Sequence, residues 1–407
     1  MYEKKIIVTR CCFFIIILHS NICFAFDATY VWSSITEEAV ATSVQPADTS
    51  ALKLESASAA LIEQNTGKVL YNHNMHEKLR PASVTKIMTI LLIMEAIDSG
   101  RIKYTDKVPC SENAANMGGS QIWLDTTEEL TVDEMLKAIC VVSANDCTVA
   151  MAEYLAGSEE AFVKQMNDKA KELGMKDTTF KNSHGIDEDG HVTSSYDIAL
   201  MSRELMTKHP DITKYTTIWM DSLRDGKSEL VSTNKLIRNY TGATGLKTGS
   251  TSLALYNLSA TATRDGLSLI AVIMKAPTTA IRFSEAKKIL DYGFSTYQYK
   301  EFGKKGELVE KVSVTKGIQN SVELILENNA GCIIEKGQEK NVKQNISIEQ
   351  NLSAPIEKGQ KLGEVSFTLN NKELAKINII AKNNVDKIGT WNMITVVLSH
   401  WFTLCRV

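Results

Sequence analysis

The 407-residue chain has no marked excess of either charge: 45 Lys and Arg stand against 48 Asp and Glu, a net charge of -3. That is too small to argue for a nucleic-acid partner, and none is expected. Its eight cysteines also lack a pattern. Cys11, Cys12 and Cys23 fall in an N-terminal leader, leaving Cys110, Cys140, Cys147, Cys332 and Cys405. That odd set has no paired spacing, so it predicts neither a disulfide framework nor a zinc site. Most of the five read as small buried hydrophobes. The acidic run Asp187-Glu188-Asp189-Gly190-His191 lacks the spacing of a calcium loop. No metal and no cofactor are expected, and no internal repeat stands out. What is left is an ordinary globular composition, long enough for two or three domains and a large core.

The first 25 residues are not read as fold. Lys4, Lys5 and Arg10 make a basic region, Cys11 to Leu18 a short apolar one, and Cys23-Phe24-Ala25 a small-residue close. This is the pattern of a secretory signal peptide cut after Ala25. The apolar stretch is short for a membrane span, which ranks an N-terminal anchor second. Residues 26–50 read as a loose lead-in.

The stretch with the most chemistry is Arg80-Pro81-Ala82-Ser83-Val84-Thr85-Lys86. Pro81 suits the approach to a helix, and the residues from Ile87 to Met94 are apolar nearly all round, as in a buried helix. The spacing predicts a helix from about Ser83 to Asp98, with Ser83 and Lys86 on one face at its mouth. That is a nucleophile with a base in reach. The same tetrapeptide recurs at Ser313-Val314-Thr315-Lys316, but Gly317 follows, so this copy reads as surface strand and turn. Thr131 and Glu134 form a capping box ahead of a helix from Val132 to Val142. Ser143-Ala144-Asn145 is then a polar turn between two apolar helices, and such a turn needs partners. Lys247-Thr248-Gly249 lies on a predicted strand, and Arg282 heads an amphipathic helix to Tyr292. After about Tyr299, short strand-like runs separated by turns predict a small all-β domain.

Ser83-x-x-Lys86, Ser143-x-Asn145 and Lys247-Thr248-Gly249, in this order in a secreted chain, resemble the active-site serine penicillin-binding enzymes and serine β-lactamases. Gly118-Gly119-Ser120, Asn182-Ser183-His184-Gly185 and the β-rich tail narrow the resemblance to the low-molecular-weight D-alanyl-D-alanine carboxypeptidases. It covers the chain from about Ala59 to the C-terminal helix. It implies an α/β (α+β) catalytic domain at 51–295, with an antiparallel sheet flanked by a helical subdomain, and an all-β domain at 300–385. It also implies the roles. Ser83 attacks the carbonyl of the penultimate D-alanine of a peptidoglycan stem peptide, and β-lactams acylate the same residue. Lys86 is the base, kept neutral by burial and by Lys247. Ser143 relays a proton, and Asn145 orients Lys86. Thr248 and Arg282 take the terminal carboxylate, Gly249 admits the substrate backbone, and the N–H groups of Ser83 and Ser250 form the oxyanion hole. One departure is Leu255 after Ala254, where the family often has glycine; a bulky residue there narrows the site or pushes the strand.

Endopeptidase action on cross-links, a β-lactamase and a catalytically silent wall-binding protein remain alternatives. No Glu-x-x-Leu-Asn stretch lies between Asn145 and Lys247, which ranks β-lactamase low. Two lysines gathered in one pocket are costly for a mere scaffold. Residues 388–407 predict an amphipathic helix with a narrow polar row and Trp391 and Trp401 on its apolar side. It suits in-plane binding to the outer face of the cytoplasmic membrane; a tail docked on its own protein is the alternative.

Overall fold

The computed structural model describes residues 52–389. The expected signal peptide, the lead-in, nearly all of the C-terminal helix and Cys405 lie outside the described residues. The chain begins with a hairpin, β1 (Ser58–Glu63) and β2 (Val69–His73), followed by a 3-10 turn (Ala82–Thr85) and α1 (Lys86–Asp98). A helical layer comes next. It holds β3 (Lys107–Pro109), α2 (Glu112–Ala115), β4 (Glu129–Thr131), α3 (Val132–Val141), α4 (Asn145–Ala156), α5 (Glu159–Glu172), α6 (Ser195–Lys208) and α7 (Thr213–Thr216). A small hairpin, β5 (Met220–Leu223) and β6 (Ser228–Val231), and α8 (Leu236–Asn239) lead to β7 (Ala243–Thr251), β8 (Leu255–Arg264), β9 (Leu267–Ala276) and α9 (Thr279–Thr296).

The main sheet is antiparallel, in the order β2-β1-β9-β8-β7. Each face buries its own core. One packs the helical layer around α1, whose residues Lys86 to Met94 are all buried; the other packs α9 through Phe283, Ala286, Ile289 and Leu290. The hydrophobic pattern of α1 is explained by this position: a helix surrounded on all sides has no polar face to show. The Thr131–Glu134 capping box forms as the residue spacing predicts.

The third core belongs to the C-terminal β domain. Its sheet runs β11 (Leu308–Ser313), β12 (Ser321–Leu326), β16 (Lys372–Ala381), β15 (Lys361–Leu369) and β14 (Lys343–Ile348), and β10 (Tyr297–Gly303) pairs with β13 (Ala330–Glu335). β13 serves two cores at once. Ile333 packs with the α9 layer, while Cys332 and Ile334 pack into the β domain, the alternation that a pleated strand imposes.

Three local expectations are corrected. The helix does not begin at Ser83, because the turn before it is 3-10 and the α-helix starts at Lys86. Arg282 lies in the first turn of α9, which Thr278 caps. β10 and β14 are strands with no counterpart in the sequence reading, and β14 is exposed along nearly its whole length, so it has no apolar alternation to read. The second Ser-x-x-Lys copy ends β11, and Lys316 takes a left-handed φ of 58° with no helix after it.

Candidate active site

The site forms where the 3-10 turn, the α3–α4 turn and edge strand β7 meet. Lys86 lies at its centre, fully buried. Its Nζ is 3.1 Å from Ser83 Oγ, 2.6 Å from Asn145 Oδ1 and 2.7 Å from the carbonyl oxygen of His184. Lys247, also buried, donates to Ser143 Oγ at 2.8 Å and to the Thr248 carbonyl at 3.0 Å. The two motif serines are therefore split between the two lysines. Ser143 is bonded to Lys247, a refinement of the relay expected to run from Lys86.

Asn145, the first residue of α4, joins Lys86 to the loop before it, because its Nδ2 donates to the Gly118 carbonyl at 2.7 Å. Its neighbour Asp146 is fully buried and accepts the N–H groups of Ile122 and Leu124 at 3.0 and 3.1 Å. From outside, Arg224 donates to the Ile122 carbonyl at 2.9 Å and holds Glu128. The exposed Trp123 is thereby fixed with a left-handed φ of 56°.

Gly249 on β7 is pressed against the nucleophile turn. A Cβ there would lie 2.8 Å from Val84 N, 2.9 Å from Ser83 N and 3.0 Å from Pro81 O. Only glycine permits that approach. The Thr248 hydroxyl donates to Thr233 Oγ1 at 2.7 Å, and Ser250 is exposed on the same strand. Arg282, 6 % exposed, donates from Nη1 to the carbonyls of Gly249 and Asn257, both at 3.2 Å. Its guanidinium also lies over the rings of Tyr256 and Phe283. The nine residues expected at the site are thus brought together by these contacts and by their adjacency on β7. Leu255 takes a left-handed φ of 55°, which explains why glycine suits this position. The β7–β8 register runs unbroken from Thr251–Leu255 through Gly249–Asn257, while the β8–β9 register shifts between Tyr256 and Leu258.

Residues 42–278 match the family model described as D-alanyl-D-alanine carboxypeptidase. The chain belongs to the D-alanyl-D-alanine carboxypeptidase family. Residues 297–387 match the C-terminal domain of penicillin-binding protein 5. The D-alanyl-D-alanine carboxypeptidase DacF of Bacillus subtilis (strain 168) is 48% identical over 357 residues, 87% of this chain and 92% of that one. Penicillin-binding protein 5 of Haemophilus influenzae superposes with a TM-score of 0.71 at 32% identity, covering 82% of this chain and 98% of that one. Penicillin-binding protein D2 of Listeria monocytogenes, solved in an ampicillin-bound form, gives a TM-score of 0.55 at 32% identity over 60% of this chain and 99% of that one.

In this carboxypeptidase, burial sets the electrostatics of the site. It lowers the pKa of Lys86 well below the ordinary lysine value, and the like charge of Lys247 lowers it further. Burial also draws Lys247 down to about 7 and Arg282 to about 10. The His184 ring is held neutral, its pKa pulled to about 3 by burial and then by Lys86.

The loop after α5 contributes more than the sequence reading assigned to it. His184 supplies the carbonyl that accepts from Lys86. His191 accepts the Lys181 N–H at Nδ1, so its Nε2–H is the donor to Thr85 Oγ1 at 2.9 Å. The acidic run serves Arg80, which pairs with Asp189 at 2.9 Å and donates to the Glu188 carbonyl. Gly185 packs under Ala82, where a Cβ would lie 2.0 Å from the Ala82 carbonyl oxygen. Asn182-Ser183-His184-Gly185 was legible as a motif, but its purpose needed the fold.

Proposed function

We propose that Ser83 is the nucleophile and Lys86 its general base. The enzyme is a penicillin-binding serine D-alanyl-D-alanine carboxypeptidase that removes the terminal D-alanine of peptidoglycan stem peptides through an acyl-enzyme. The observation that carries the role of Lys86 is its set of partners. A neutral amine has two N–H donors and one lone pair. Asn145 Oδ1 and the His184 carbonyl can only accept, so they take both N–H groups and leave the lone pair toward Ser83 Oγ. Ser83 gives its proton to that lone pair as Oγ bonds to the carbonyl carbon of the penultimate D-alanine.

The carbonyl oxygen, now negative, is held by the backbone N–H groups of Ser83 and Ser250. When the C–N bond breaks, the leaving amine takes a proton delivered from Lys86, with Ser143 and Lys247 on its path. Water then attacks the ester, with Lys86 again taking a proton. Thr248 and Arg282 provide for the substrate carboxylate. A β-lactam carbonyl meets the same nucleophile. Brief exposure to penicillin should add one penicilloyl group to the peptide containing Ser83, with none in Ser83→Ala. Mass-mapped adducts on Ser143 or Ser313 would overturn the assignment.

The same reading has the mature enzyme secreted across the cytoplasmic membrane and attached to its outer face. Its support is the signal-like residues 1–25 and the two-faced pattern of residues 388–407. Among the described residues no helix is long and apolar enough to cross a membrane.

A further inference from the structure

We infer that Asn257 is a positioning residue that sets the spacing of the oxyanion-binding N–H groups. The inference rests on the reading of Ser83 above. Asn257 lies on β8, fully buried, and is the register partner of Gly249. Its Nδ2 donates to two consecutive carbonyls of the nucleophile turn, Arg80 at 2.8 Å and Pro81 at 2.9 Å. Its Oδ1 accepts the Lys275 N–H of β9 at 2.7 Å. Its own carbonyl shares Arg282 Nη1 with that of Gly249. One carboxamide therefore ties the turn that carries Ser83 to the strand next to β7.

Two bonds to successive carbonyls fix both the height and the rotation of that turn. Ala82, the next residue, is held at a left-handed φ of 49°, a conformation that persists only where its surroundings over-determine it. Asn257 holds it on the Pro81 side, and Gly185 packs against its carbonyl. The Ser83 nitrogen then lies against β7, 2.9 Å from where a Cβ on Gly249 would be. Ser250, whose N–H is the second donor, is the next residue on that strand. Oxyanion donors act within about 2.7–3.1 Å of the developing charge, so a shift of the turn by a few tenths of an ångström opens the pair. Asn257 touches no substrate; it acts through Ser83 and Gly249.

The test is Asn257→Asp, which keeps the acceptor for Lys275 and removes both donors, setting an oxygen against two carbonyls. Asn257→Ser, smaller and neutral, carries the same measurements if the first variant folds poorly. The active fraction is counted by penicillin titration. A D-alanyl depsipeptide ester is then compared with its thionoester, sulfur replacing the scissile carbonyl oxygen. Sulfur fits a tight N–H pair poorly, so the wild-type enzyme should discriminate against it. In the variants kcat per active molecule should fall about 10²-fold, KM should change less than about threefold, and discrimination against sulfur should drop at least tenfold. An unchanged oxygen-to-sulfur ratio, with activity lost only in proportion to the active fraction, would show that Asn257 is structural. A penicilloyl adduct away from Ser83 would instead overturn the nucleophile assignment, and this inference with it.

Discussion

At Lys86 burial and, after it, a neighbour of the same sign set the acid–base behaviour of the site. Burial lowers the Lys86 pKa first and Lys247 second. Acylation should rise with pH through the folded pKa of Lys86, because only the neutral amine accepts the Ser83 proton. Lys247→Met removes the repulsion, so the pKa of Lys86 goes up and the rising limb moves to higher pH. The rate of penicillin acylation against pH reads this shift, and an unmoved limb would mean that Lys247 does not govern Lys86. The same variant has a stability signature. The folded pKa of Lys247, about 7, lies below its ordinary 10.5. Between those values the unfolded chain binds more protons, so wild-type stability rises with pH across that window. Below about pH 7 the full cost of the buried charge is present, on the order of a few kcal/mol. Lys247→Met should therefore melt higher than wild type near pH 6, and the gap should close toward pH 10.

Elements meet at this site through glycines. Gly185, at φ +96°, faces the Ala82 carbonyl with no room for a methyl group, and Gly249 faces the backbone of Pro81, Ser83 and Val84. In both places the obstacle is main chain, which cannot rotate away as a side chain can. Gly185→Ala should cost about 1–2 kcal/mol from its left-handed backbone alone. It should also push the nucleophile turn off its position, and displacement by about 1 Å can cost about 10²-fold in rate. Penicillin acylation kinetics with a parallel thermal melt would separate the two effects. A Gly185→Ala enzyme that acylates at the wild-type rate would show that the loop does not position Ser83.

On the scale of the whole molecule, the catalytic and β domains share a seam. β13 pairs with β10, and its Ile333 lies in the core under α9. Ile333→Ala should lower stability by roughly 2–5 kcal/mol, and the loss should appear in the catalytic domain. The midpoint for heat inactivation of penicillin binding is the readout, and it would stay fixed if the domains were independent. The far end of the chain should behave otherwise. Deleting residues 388–407 should release the enzyme from membranes with small-peptide activity intact, because the half-buried Ser83 and the buried Asn145 and Lys247 all sit in or around the helical and sheet layers. A truncated protein that still sediments with vesicles would count against a C-terminal anchor. Since the tail has few charges, binding of the full chain should survive high salt.

The sequence by itself determined the elements whose residues declare their own geometry. The all-round apolar run of α1, the Thr131–Glu134 cap, the strand that carries Lys247-Thr248-Gly249 and the three ordered motifs follow from local chemistry, and the motifs were enough to indicate the family. Tertiary structure alone decided the partners that no spacing encodes. The His184 carbonyl on Lys86, the Ser143 hydroxyl on Lys247, the Asp146 hold on the Ile122–Leu124 segment and the Asn257 clamp are contacts between residues far apart in the chain. Backbone carbonyls carry no side-chain signature, and a buried Asn or Asp looks in sequence like any surface polar residue. Their meaning arises only when burial removes water and leaves each donor a single place to go.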